Sequence, residues 1–366
     1  MLRLPATMDE VTPEWLQAAV STHPDFMGGR IERIEKTPVG VGIGQVGDLA
    51  RVMLTYADDV TVKSKFPASV VVKLQAGFEP MRAVGVRYDM YLRETGFYQT
   101  LAKATRAPTP TIYFIDWQPA QERNTIVMQD LTQWHWPDQI AGATTHQAER
   151  CIDALALVAA GHWNADFATH EWLPGSQSEV FQRIVGDYKL CVPASIERLR
   201  RFLTPAQEAA CQRIALHFDW LMQQLAEGPQ VLTHMDCRLE NFVFDTPQVE
   251  RLALIDWQLV SRLRAGFDFA YFVGTSLDED VRRAIVPRLT ARYLGALRGN
   301  GVQHYHDDAF AHDFRLGTMA MTLIPVIGGA SFDVHNPRSV QLFGAMMSRA
   351  FASVADYDCL ALLPDD

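Results

Sequence analysis

The feature that most constrains how this 366-residue chain can fold is the stretch VLTHMDCRLENFVFDTPQVERLALIDW, Val231 to Trp257. Apolar residues lead into His234-x-Asp236-x-x-x-x-Asn241. The run NFVF then reads as a short strand, DTPQVE supplies turn residues, and RLALID returns as a second strand. A fold that accommodates this stretch needs a tight antiparallel hairpin, and the hairpin brings Asp256 back beside Asn241. Three oxygen-bearing side chains, Asp236, Asn241 and Asp256, are thereby gathered by local sequence alone.

That set suits phosphoryl transfer to a hydroxyl. An acceptor oxygen needs a carboxylate to orient it and accept its proton, and Mg2+ needs hard oxygen ligands that leave room for phosphate oxygens. Asp236 fits the first role, and Asn241 with Asp256 fits the second. Singly, each has a plainer reading, as a turn cap, a strand start and a strand end. Arg238 carries two readings: a guanidinium aimed at a γ-phosphate, where it would stabilise developing charge, or an ion pair with Glu240 or another acid. His234 is expected to be buried scaffold. Cys237 has no basic partner and is expected to be inert, and His162 is expected to pack or cap a helix. The tetrapeptide IDWQ occurs twice, at Ile115 to Gln118 and at Ile255 to Gln258. Only the second copy follows the loop, so Asp116 is expected to be a turn residue closing the fourth strand.

Upstream, VGVGIGQVGDLARVMLTY contains Gly42, Gly44 and Gly47 as GxGxxG. A dinucleotide site needs a helix after the third glycine, whereas DLARVMLTY alternates like a strand. The alternatives are a flexible hairpin and a glycine turn between antiparallel strands that covers nucleotide phosphates with backbone amides. Lys73 lies inside the apolar run SVVVKLQ, and Glu94 shares its helical face with Met90, Tyr91, Phe97 and Tyr98. A buried charge is costly unless paired, so the two suggest an ion pair; the alternative is two independent snorkelling side chains.

Strand signals at 31–39, 48–56, 69–75, 110–116 and 124–129, with one helix in RYDMYLRETGFYQTLAKA, describe a five-stranded antiparallel sheet plus one helix. A short helix capped by Thr12, with Pro13 in its first turn, precedes them. Beyond DLTQWHWPD the pattern becomes helical at 145–165, 177–203, 205–226, 277–297, 308–328 and 337–356, interrupted only by short strands around 241–244 and 251–255. The expected chain is α+β, with a small N-lobe (1–130) and a larger, mainly helical C-lobe (131–366). Acidic residues outnumber basic ones, 43 to 33, with no long single-sign run, which argues against a nucleic-acid partner. Five scattered cysteines give no metal-ligand spacing. No signal-peptide pattern and no membrane-spanning run are found, so a cytoplasmic location is expected.

With these residues in place, the chain resembles the aminoglycoside phosphotransferase and choline kinase-like family, in particular its ecdysteroid kinase-like branch, which has the protein-kinase-like fold. The resemblance runs from about Val39 to about Phe272 and rests on HMDCRLEN and on LIDWQ followed by GFDFAYF, more loosely on the N-terminal half. It implies two lobes with ATP and Mg2+ between them and transfer of the γ-phosphate to a hydroxyl-bearing small molecule. It implies Asp236 as catalytic aspartate, Asn241 and Asp256 as metal ligands, Lys73 as the phosphate-binding lysine and Glu94 as its partner. Asp268 resembles the aspartate that buttresses the catalytic loop. IVMQDL resembles the interlobe hinge, where the backbone around Gln129 and Leu131 would bind adenine. Met235 stands where the family usually has glycine, and the turn ADDVTVKSKFPA is long. The expected activity is ATP-dependent phosphotransfer to an alcohol group, and the alternative is a pseudokinase-like binding module without turnover. A protein kinase is a third possibility, but no APE-type segment separates Asp256 from the following helix, so the loop that would hold a peptide is expected to be absent. Asp307, Asp308, Asp313 and Asp333 are read as solvated charge or as a lure for a cationic acceptor. The aromatics of TQWHWPD and GHWN are read as pocket lining or core.

Overall fold

A computed structural model describes residues 2–40, 46–57, 65–106 and 108–365. The chain divides into two compact units, Met1–Leu101 with Thr109–Trp134, and Ala102–Pro108 with His135–Asp366.

The first unit is built on five antiparallel strands, β1 (Ile31–Val39), β2 (Gly47–Tyr56), β3 (Ser69–Gln75), β4 (Ile112–Gln118) and β5 (Arg123–Gln129), in the order β1-β2-β3-β5-β4. β3 is central and buried from Val70 to Gln75, which is why SVVVKLQ shows no alternation: both of its faces are covered. Val11, Leu16, Val20 and Phe26, from and around helix α1 (Pro13–Val20), pack with Val52, Val70, Val72 and Val127 into one core. As expected, Thr12 caps α1, its hydroxyl accepting the Trp15 N–H at 3.2 Å.

Two expectations for this unit are corrected. The helix expected from Arg87 starts later, as α3 (Met90–Gly96) after Asp89, whose φ of 54° no continuous α-helix can hold, and runs into a π-helical turn at Phe97–Leu101; a further helix before it, α2 (Glu79–Arg87), was not expected. In α2, Gly85 meets the Tyr91 ring so closely that a Cβ would lie 2.6 Å from it, so packing replaces the apolar stripe that would have revealed the helix. Asp116 is not a turn residue. β4 runs through the whole first IDWQ, Asp116 pairs across the ladder with Thr125, and the reversal falls on Pro119–Gln121 and Glu122, which takes φ 50°.

The second unit carries helices α4 (Thr145–Gly161), α5 (Glu179–Leu199), α6 (Pro205–Leu216), α7 (Phe218–Gln224), α8 (Phe267–Ser276), α9 (Glu279–Gly299), α10 (Asp307–Ala320), α11 (Leu323–Ser331) and α12 (Pro337–Asp356). Two antiparallel pairs accompany them: β6 (Gln230–Thr233) with β9 (Ser261–Arg264), and β7 (Phe242–Phe244) with β8 (Leu252–Leu254). The β7–β8 hairpin is the one the sequence demanded. β6, β9 and α8 were not expected. Every residue of α8 is buried, so its sequence has no polar face and no 3.6-residue period to detect. The 205–226 and 308–328 segments each break into two helices, at His217 and around Met321. No helix among the described residues is long and apolar enough to cross a membrane.

Candidate active site

In the second unit the stretch from His234 to Asn241 is suspended from α8. Asp268, in the first turn of that helix, accepts the backbone N–H groups of His234 (2.7 Å) and Met235 (3.0 Å). Burial pushes the Asp268 carboxyl above its ordinary range, outweighing the opposing pull of nearby His234 and those two amide bonds. His234 is the scaffold the sequence suggested. Its Nε2 lies 2.8 Å from the Ile255 carbonyl, which only accepts, so Nε2 carries the proton, and Nδ1 accepts the Asp236 N–H at 3.3 Å. Its ring meets Trp257 edge-on, with centroids 4.7 Å apart. Met235 adopts φ 68°, the left-handed region that favours glycine. In a residue with a Cβ that conformation costs about 1–2 kcal/mol, and Asp268 holds the peptide in place.

Asp236 is 4% exposed and its carboxylate is fully engaged. Oδ1 accepts the Tyr271 hydroxyl at 2.7 Å; Oδ2 accepts Asn241 Nδ2 at 3.1 Å and lies 3.4 Å from Arg238 Nη1. Asn241 Nδ2 also bonds the Asp236 carbonyl at 2.7 Å. Arg238 is held between acids, its Nε 3.8 Å from Glu240, so its ion-pair reading matches the geometry. Burial disfavours the guanidinium charge, but Asp236, Tyr271, Glu240 and Asp256 together outweigh it and push its pKa up. Glu240 is bridged in turn to Arg338 of α12 at 2.6 Å.

The β7–β8 ladder pairs Phe242 with Leu254, and Ile255 N–H continues it to the Asn241 carbonyl at 3.0 Å. The next residue, Asp256, leaves the ladder at φ 65° and ψ 57°. Buried Trp257, whose Nε1 donates to the Leu254 carbonyl at 3.0 Å, locks this turn. Asp236, Arg238, Asn241 and Asp256 are therefore brought together in one unit. The donor set fits Mg2+. The Asn241 amide directs its NH2 at Asp236, which leaves Oδ1 as a hard acceptor on the residue whose carbonyl takes the Ile255 N–H, one residue before Asp256. No group of three or more His, Cys, Asp or Glu side chains suited to a metal exists among the described residues. Two oxygen donors completed by phosphate and water are the coordination Mg2+ ordinarily takes.

In the first unit, Lys73 Nζ lies 2.9 and 2.8 Å from the two Glu94 oxygens, with the residues 6% and 2% exposed. The buried pair expected from the two separate anomalies is present. Gly47 opens β2 against it: a Cβ there would sit 2.8 Å from the Leu74 carbonyl and 3.2 Å from Lys73 Cε. Gly42 and Gly44 lie outside the described residues. Gln129 donates its backbone N–H to the Thr111 carbonyl at 2.8 Å, so that N–H is engaged within the unit, and the buried Leu131 accepts the Trp134 N–H at 2.9 Å. Between them Asp130 accepts from Arg51, Ser69 and Thr132. Burial raises the Asp130 carboxyl, but these bonds together hold it below its usual range. Lys73→Met is expected to destabilise the protein by about 3–5 kcal/mol in urea unfolding, because it strands a buried carboxylate, and Lys73→Met with Glu94→Leu is expected to recover most of that loss.

Other residues singled out from sequence behave plainly. His162 is buried against Thr105 Oγ1 at 3.0 Å, and burial lowers its pKa. Burial pushes the Cys237 thiol well up, which suppresses any thiolate. Asp313 is not solvated charge: it is buried with Arg264 and the Tyr305 hydroxyl. Tyr271 was missed, although GFDFAYF contains it, because a tyrosine in a uniformly apolar helix gives no sign of where its hydroxyl points.

The family model of the ecdysteroid kinase-like family matches residues 45–303. Among solved structures, a candidate aminoglycoside phosphotransferase from Ralstonia eutropha JMP134 is 14% identical, with 99% of this chain and 100% of that one covered and a TM-score of 0.53. Choline kinase from Cryptosporidium parvum Iowa II is 11% identical over 95% of this chain and 92% of that one, with a TM-score of 0.52. The GDP complex of aminoglycoside 2'-phosphotransferase-IIIa is 11% identical over 93% and 99%, with a TM-score of 0.51. At such identities the likeness speaks for the fold. No curated protein sequence is significantly similar to the chain.

Proposed function

The chain belongs to the ecdysteroid kinase-like family, a small-molecule kinase-like phosphotransferase, and from that premise we propose that it moves the γ-phosphate of ATP to a hydroxyl of a small molecule. The observation that carries this reading is the Asp236 carboxylate, buried yet anchored to Asn241 on the loop that Asp256 adjoins. Asp236 would orient the acceptor hydroxyl and take its proton as the oxygen attacks phosphorus. Asn241 Oδ1 and the Asp256 carboxylate would hold Mg2+, which when bound neutralises charge on the phosphate oxygens. Lys73, kept straight by Glu94, would contact the α- and β-phosphates, and the backbone around Gln129 and Leu131 would receive adenine. Arg238, already shared by Asp236 and Glu240, acts in this reading as a brace for the loop.

The two IDWQ copies give a direct test. Asp256→Ala is expected to weaken Mg2+-dependent nucleotide affinity by at least the roughly 10- to 100-fold that loss of a ligand's supporting partner costs. Asp116→Ala is expected to leave affinity unchanged, and calorimetric titration with and without Mg2+ separates the two. The function itself is tested by following Mg2+-dependent ATP consumption against a panel of hydroxylated metabolites. Turnover with one acceptor class, abolished by EDTA, is the expected result. Nucleotide binding without turnover on any acceptor or on water would favour the binding-module alternative.

A further inference from the structure

We propose that Tyr271 of α8 is the positioning residue of the phosphotransfer site, fixing the rotation of the Asp236 carboxylate through its Oδ1. This inference rests on the phosphotransferase reading above and adds to it a residue outside the loop. The Tyr271 hydroxyl lies 2.7 Å from Asp236 Oδ1, the shortest of the side-chain contacts to that carboxylate. Its ring is wholly buried in a helix with no exposed residue, so the hydroxyl has no freedom to swing toward water.

A buried phenol must bond something, and here the partner is the reacting carboxylate. Burial, and next the charge of Asp236, push the Tyr271 pKa well above its ordinary value, so the phenol remains a donor throughout the working pH range. A phenol that only donates fills one lone pair on Oδ1 and pins the carboxylate's rotation. Oδ2, which shares its environment with Asn241 Nδ2 and Arg238, is left as the oxygen on the side of the proposed metal ligands. The same helix supplies Asp268, which holds the His234 and Met235 amides. α8 thus positions the loop's backbone with one side chain and its carboxylate with another, one helical turn apart.

The test uses Tyr271→Phe, which removes a single oxygen, in the full-length protein with MgATP, taking water as the acceptor and then any hydroxylated acceptor that supports turnover. The expected result is a roughly 10- to 100-fold fall in kcat, the range for losing one hydrogen bond to a charged group, with KM for MgATP nearly unchanged. In an Asp236→Asn background the same change is expected to have no further effect on kcat, which a merely structural role would not predict. Site-specific replacement of Tyr271 by fluorotyrosines, which keep shape and hydroxyl, is expected to grade kcat with phenol acidity, and it serves if Tyr271→Phe does not fold. An unchanged kcat, a fall in kcat of the same size in the Asp236→Asn background, fluorotyrosines without effect, or faster turnover, as if the phenol had been blocking the acceptor, each overturns the proposal. Wild-type protein that turns over no MgATP with any acceptor would instead sink the phosphotransferase reading, and this inference with it.

Discussion

Asp236→Asn is expected to lower phosphate transfer by about 1,000-fold while KM for MgATP changes only a few-fold. In the proposed role the carboxylate orients the acceptor and takes its proton, which contributes roughly 10²- to 10⁴-fold. An effect on kcat without one on nucleotide affinity marks an interaction made in the transition state. The amide is nearly the same size, so the pocket stays filled. It keeps only one acceptor oxygen, however, and the NH2 in place of the other would confront either the Tyr271 hydroxyl or the Asn241 NH2, both of which now donate to Asp236. Steady-state kinetics beside calorimetric MgADP binding separates loss of chemistry from loss of binding. Equal losses in both would mean that Asp236 belongs to nucleotide binding.

Asp268→Ala is expected to destabilise the protein by about 2–6 kcal/mol, since it strands two buried amides, those of His234 and Met235, each worth about 1–3 kcal/mol when left unbonded. The left-handed Met235 peptide also loses its anchor, so activity is expected to fall with stability. Asp268→Asn keeps one acceptor oxygen and should recover about half of the loss. Urea unfolding with paired activity assays checks both variants. A marginal protein of ordinary stability, about 5–15 kcal/mol, would be brought close to unfolding by the alanine change. A loss below 1 kcal/mol would show that the loop does not depend on α8.

The residues that carry the proposed chemistry were legible because they break local rules. Lys73 interrupts an apolar strand, Glu94 sits among apolar and aromatic neighbours, and Asp236, Asn241 and Asp256 recur at spacings a short hairpin enforces. The Lys73–Glu94 pair and the β7–β8 hairpin follow from those anomalies. Where local pattern was weak, the reading failed. α8 is buried on all sides and so lacks periodicity, and α2 is held by a glycine-to-tyrosine contact that no stripe announces. Asp313 looked like surface charge because nothing near it in sequence reveals Arg264, which pairs with it in space.

The IDWQ tetrapeptide marks the division. Sequence by itself determined which residue types are available and which copy follows the stretch from His234 to Asn241. Tertiary structure decided the backbone: Asp116 is extended and paired with Thr125, whereas Asp256 turns left-handed beyond Leu254 under a buried Trp257. Four residues carry too little energy to choose between those states, so the neighbours that bury them choose. The same holds for Asp236, whose spacing to Asn241 is written in the chain but whose partner Tyr271 is supplied only when α8 packs beneath the loop.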